Sequence, residues 1–257
     1  MKKLLIFLLI LVLLFFLYAK YGSQNILLVN EYSIISENLP NGFDGTKIVH
    51  FSDLYYDGNE KVINKLIDKI NEQNPDIVVF TGDLLKEKIN KKEQEFLKSS
   101  LSKINYKIKK YAILGDKDDD VVENILNESD FTVLKNEQDL LFNNDITPIS
   151  IINNSQIDEE KYSKESFNIF LVHKPDDVDK ILKYSPSLIL AGHSLGGQIR
   201  IPFWGALIKT KGSLKYSNDY YESDNTKIYI SYGIGYGNIG LRLFNDPSFN
   251  VYRLKRK

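Results

Sequence analysis

Hydrophobic and polar positions alternate along this chain with two rhythms, after one opening stretch that has no polar face at all. Residues 4–19 are all apolar or aromatic, with Met1, Lys2 and Lys3 before them and Lys20 after them. As a helix that run spans about 24 Å, a little short of a hydrocarbon core of about 30 Å. Tyr18, Tyr21 and the flanking lysines can extend it into the interface. Further on, residues 61–71 place Val62, Ile63, Leu66, Ile67 and Ile70 at helical spacing, and a second helix is predicted near residues 91–102. Short apolar runs at 47–52, 76–80, 110–114, 167–172, 187–191 and 227–231 predict buried strands instead. Strands alternating with helices specify an α/β domain built on a buried sheet.

Five of those strands end in a residue that carries chemistry. They are Asp53, Asp83, Asp116, His173 and His193. Ligands of such sheets collect beyond the carboxyl ends of the strands, so three carboxylates and two imidazoles are expected along one edge. His50 lies inside a strand and is expected to be structural. The run Asp118-Asp119-Asp120 reads as a solvated loop or helix start. Pro175 and Pro202 read as turn and edge-strand residues. Phe203, Trp204, Tyr220 and Tyr221 either line a rim that meets lipid or substrate, or simply pack.

Composition narrows the picture. The chain has 257 residues, with 33 Lys+Arg against 34 Asp+Glu, and that balance gives no sign of nucleic-acid binding. It has no Cys, which excludes disulfides, thiolate metal sites and Cys nucleophiles. The opening run has a cleaved signal peptide as its rival reading, but no small-x-small site stands around residues 18–22. An uncleaved signal anchor is expected. Lys2 and Lys3 precede it and Glu31 and Glu37 follow it, so a cytoplasmic N-terminus and an extracytoplasmic domain are predicted. The expected division is a membrane segment at 1–22, a connector at 23–44 and one domain at 45–257.

Gly192-His193-Ser194-Leu195-Gly196 fits the G-x-S-x-G nucleophile elbow of serine hydrolases. An elbow needs a helix after the Ser and a His later in the chain. Residues 198–205 read as strand or loop, and the three His residues, at 50, 173 and 193, all precede Ser194. The serine hydrolase is therefore rejected.

Taken in order, the strand-end motifs resemble the calcineurin-like metallophosphoesterase superfamily, and most closely its membrane-anchored bacterial branch. Asp53-Leu54-Tyr55 stands at its D-x-H, and Thr81-Gly82-Asp83 at its G-D. Gly115-Asp116-Lys117-Asp118 stands at its G-N-H-D, and His173 at its single-His motif. Gly192-His193-Ser194-Leu195-Gly196-Gly197-Gln198 stands at its G-H-T-H-G-G-Q. The region from Gly233 to Phe244 resembles that branch as well. The resemblance implies a β-sandwich flanked by helices and two metals bridged by Asp83. One metal would take Asp53 and two His that are Tyr55 and Leu195 here. The other would take Asp83, Asp116, His173 and His193. The family's acid His is Lys117 here.

This implies one intact site for a single divalent ion such as Zn, Mn or Fe, with Asp53 as a weak contributor. Two readings of Lys117 stay open. Its ammonium either neutralises Asp53 and Asp83 in place of a lost cation, or it is solvated. The implied function is a membrane-anchored phosphomonoester or phosphodiester hydrolase homologue with a degenerate site and a phosphate-containing ligand. The alternative is a competent single-metal phosphoesterase.

Overall fold

The computed structural model describes residues 2–22, 26–153, 157, 162–237 and 240–257. Two six-stranded sheets pack face to face. The first has the order β1-β14-β2-β3-β4-β5, built from β1 (Leu28–Ser36), β2 (Lys47–Phe51), β3 (Ile77–Phe80), β4 (Lys109–Ala112), β5 (Phe131–Val133) and β14 (Ser248–Arg256). The second has the order β12-β13-β9-β8-β7-β6, built from β6 (Glu137–Leu141), β7 (Ile149–Asn153), β8 (Asn168–Val172), β9 (Leu188–Ala191), β12 (Tyr220–Ser223) and β13 (Thr226–Ile230). A small hairpin, β10 (Arg200–Ile201) with β11 (Gly205–Ala206), stands apart from both sheets. The helices are α1 (Lys2–Leu17), α2 (Glu60–Glu72), α3 (Lys91–Leu101), α4 (Asp120–Asn127) and α5 (Val178–Ile181).

The unbroken apolar runs have a simple cause. Within β3, Ile77 and Val79 face the second sheet, while Val78 and Phe80 face the helices. In β8, Ile169 and Leu171 face the first sheet, while Phe170 and Val172 join the outer core with Val178 and Ile181 of α5. A strand covered on both faces favours apolar residues at nearly every position. Helix α2 buries Ile63, Leu66, Ile67 and Ile70 against the first sheet, the face its spacing predicts. Asn90 and Glu93 close a capping box at α3, and the Asp119 carboxylate caps α4.

Parallel pairing runs β2-β3-β4-β5 in one sheet and β7-β8-β9-β13 in the other. The carboxyl ends therefore lie at common edges, which sets the site there. The segment 23–44, expected as a connector, instead contributes β1, paired parallel to β14 from Leu28↔Ser248 to Ser36↔Arg256. Helix α1 with the turn that follows it, Lys2–Lys20, is long and apolar enough to cross a membrane.

Candidate metal centre

The backbone at the strand ends is bent in an uncommon way. Asp53, Tyr55, Asp83, His193, Leu195 and Gln198 all have φ between 44° and 64°. Non-glycine residues in this region cost roughly 1–3 kcal/mol each and concentrate at functional sites. Close backbone approach accompanies them. A Cβ on Gly82 would stand 2.5 Å from the Gly115 nitrogen and 2.9 Å from His173 Nδ1, so the loops after β3 and β4 can meet only over glycine.

Asp83, His173 and His193 each bring one ligand atom into a cluster whose members lie within 4.8 Å of one another. Main-chain carbonyls set both rings. The Thr81 carbonyl lies 2.8 Å from His173 Nδ1, and the Lys211 carbonyl lies 2.8 Å from His193 Nε2. Those nitrogens must donate, which leaves His173 Nε2 and His193 Nδ1 facing each other at 3.1 Å. Two neutral lone pairs at that separation repel; a shared proton or a divalent cation removes the conflict. Carbonyl partners that orient metal-binding imidazoles are a regular outer shell of such sites. The two imidazoles and the carboxylate thus suit a borderline divalent ion.

In the metal-free protein a proton takes that role. Burial pulls His173 down, but the Asp83 hydrogen bond and the Asp53 and Asp83 charges prevail and raise it to about 9. His193 is lowered by burial and by its charged neighbour His173. Burial opposes ionisation of Asp83 too, yet His173 and the Tyr55 hydroxyl hold it below the ordinary carboxylate range. Asp53 is fully buried, and burial raises it to about 7. Its Oδ2 accepts the His193 N–H at 2.8 Å, and its Oδ1 has no hydrogen-bond partner among the described residues.

The other expected residues lie as follows. Asp116 is at the exposed rim, paired with Lys174 at 2.6 Å and outside the three-residue cluster. Lys117 is exposed, and its ammonium sits 4.5 Å over the Tyr55 ring. Among the described residues its ammonium forms no ion pair with Asp53 or Asp83, so the neutralising one of its two open readings gains no contact here, while its backbone amide donates to Asp83 Oδ1 at 3.1 Å. The side-chain donor to Asp83 is Tyr55, whose hydroxyl donates to Asp83 Oδ2 at 2.6 Å. Leu195 is buried beside Gly233. His50 is structural as expected, with Nε2 2.9 Å from Thr81 Oγ1 and burial lowering it to about 3.

Asp118 is not a solvated loop residue. Its Oδ2 accepts the Asp83 and Gly115 amides, both at 2.7 Å, and its Oδ1 accepts the Leu84 amide at 2.8 Å. It clamps the loop after β3 to the loop after β4. Asp118→Ala would leave three amides without their acceptor, and at about 1.5 kcal/mol or more per charged hydrogen bond the loss should exceed ~3 kcal/mol. A urea midpoint unchanged by that substitution would refute the clamp. Nothing in the sequence separates Asp118 from Asp119 and Asp120 except its place in the motif.

Comparison with known proteins agrees with this geometry. Residues 46–197 match the family model described as calcineurin-like phosphoesterase. An uncharacterized metallophosphoesterase of Bacillus subtilis (strain 168) is 32% identical, over 93% of this chain and 89% of its own length. Another from Campylobacter jejuni is 29% identical, over 95% of this chain and 67% of its own. A Danio rerio transmembrane protein with a metallophosphoesterase domain is 24% identical, over 89% of this chain and 57% of its own.

Proposed function

We propose, of a chain that belongs to the calcineurin-like metallophosphoesterase family, that it is a membrane-anchored member with one divalent-metal site and weakened hydrolytic power. Asp83, His173 and His193 would hold the ion, with Asp116 on the neighbouring rim. Bound there, a divalent ion supplies Lewis-acid polarisation of a phosphoryl oxygen. The observation that carries the weakened reading is the Tyr55 hydroxyl on Asp83 Oδ2. A neutral phenol stands at Tyr55 where the family's motif has an imidazole, and Leu195 offers no donor atom at all. Asp53, buried and without a second metal's charge, is pushed toward its neutral form by burial.

The chain's own groups still bind and orient. Thr81 and Lys211 fix the imidazoles, Asp118 fixes the loops, and the Lys117 ammonium adds positive charge where a phosphoester would enter. That last feature favours the second reading, a competent single-metal phosphoesterase with Lys117 as proton donor. Turnover of an aryl phosphodiester by the purified protein with added Mn or Zn separates the two. Weak turnover with one bound ion is expected; brisk turnover would overturn the degenerate reading.

The domain is proposed to begin at β1, with α1 as an uncleaved anchor and the domain outside the cytoplasm. Protease added to intact spheroplasts should digest the domain. Protection would refute the orientation, and release of a shortened mature form would refute the anchor.

A further inference from the structure

The protein surface beside the metal centre carries an apolar projection that the fold leaves uncovered. Between β10 and β11 the chain turns through Pro202, Phe203 and Trp204, and Phe203 and Trp204 are almost fully exposed. Leu207 and Ile208 follow, also exposed, and then the exposed Lys209 and Lys211. Phe244 joins them from a distant part of the chain. The Arg200 amide donates to the Leu243 carbonyl and the Leu243 amide to the Gln198 carbonyl, which seats Phe244 against the hairpin. Phe203 and Phe244 both hold left-handed backbone, φ 70° and 51°, with their rings in solvent. Bulky residues rarely adopt that conformation, and exposed contiguous apolar groups mark an interaction surface.

The occupant follows from what touches the patch. Phe15 of α1 lies against Phe244 with ring centroids 6.2 Å apart, and the Arg242 amide donates to the Ala19 carbonyl at 3.1 Å. The patch is therefore continuous with the last turns of the apolar helix. Trp and Phe beside Lys, next to the end of such a helix, are residues of the bilayer interface. We propose that the hairpin tip, with Leu207, Ile208 and Phe244, is a second membrane contact. It rests in the boundary between headgroups and acyl chains of the bilayer that holds α1. This rests on the anchor reading above. It also places the Lys211 loop, whose carbonyl orients His193, at the membrane surface, where the phosphoesters within reach are lipid headgroups.

Trp204 is the only tryptophan in the chain, so intrinsic fluorescence reports the hairpin tip directly. The full chain is reconstituted in phosphatidylcholine–phosphatidylglycerol vesicles, and flotation establishes membrane association. Lipids brominated near the headgroup should then quench Trp204, while aqueous acrylamide should quench it weakly. Phe203→Asp should reverse both effects with flotation unchanged, and Phe244→Ser should weaken the lipid quenching. If the chain floats but Trp204 responds to acrylamide and not to brominated lipid, the hairpin lies in water; the inference fails while the anchor stands. If the chain does not float, both fail together. If Trp204 is shielded from both quenchers and the shielding fades as the chain is diluted in lipid, a second copy covers the patch and the inference fails.

Discussion

His173→Ala and His193→Ala should each abolish tight divalent-metal binding, and the unaltered protein is expected to take up about one ion per chain. Loss of a partner that merely orients a ligand typically costs ~10–100-fold in affinity. Removing one of three clustered donors should therefore cost more than ~10²-fold. Asp53→Asn should matter less, because Asp53 lies outside the cluster. Elemental analysis of the unaltered protein and metal titration of the variants decide this, and two tightly held ions would defeat the single-site reading. The affinity also carries a pH signature. Metal must displace the proton from His173, which is raised to about 9, so binding should strengthen as pH climbs from 6 toward 9. Metal-free stability should run the other way. A histidine raised above its unfolded value of about 6.5 stabilises the fold below that value and loses the effect as pH rises through 9. The buried carboxyl of Asp53, raised to about 7, likewise weakens the fold as pH rises from about 4 through 7. Metal protection against thermal unfolding should thus be greatest in mildly alkaline buffer.

The second large effect is a gain. The triple change Tyr55→His, Lys117→His and Leu195→His, with or without Asp116→Asn, should take up a second ion and hydrolyse aryl phosphodiesters. Restoring positioned acid–base help is worth typically 10²–10⁴-fold, and a second metal adds charge stabilisation of several kcal/mol. Residues that act as a unit are not additive, so single reversions should do little. The backbone favours the exchange. Tyr55 and Leu195 hold φ of 44° and 48°, where histidine is several-fold enriched among non-glycine residues. Leu195→His should therefore cost little stability despite its buried place. A triple variant that folds, binds one ion and stays inert would remove the second-site argument.

The strands that bear the site were legible because β3, β8, β9 and most of β2 are covered on both faces and read as apolar runs, while β4, which carries Lys109 and Lys110, shows only through the apolar residues that follow them. The buried β7 and β14 were missed as well, but several other missed strands are of another kind. β1 is an edge strand whose positions are mostly half exposed, and the short β5 and β6 are little more buried. Their patterns resemble loops, and only distant pairing makes them strands. At the site, residue types at strand ends pointed to Asp53, Asp83, Asp116, His173 and His193, of which Asp83, His173 and His193 cluster. Three features had no such signature. The carbonyls of Thr81 and Lys211 are backbone and carry no side-chain signal. Asp118 sits among other aspartates. The Tyr55–Asp83 hydrogen bond depends on how two loops face each other, which spacing along the chain does not encode.

The place of β14 governs when the molecule can assemble. It lies between β1 and β2, and β1 pairs with nothing else, so Leu28 waits for Ser248, 220 positions downstream. Closing a loop of that length before any pairing rewards it makes such contacts late and slow. A nascent chain that has emerged only through β13 has β1 unpaired and β2 open along one edge. The first sheet closes only once residues 248–256 are present, so β1 and the open edge of β2 stay unpaired until the last strand of the chain has been made.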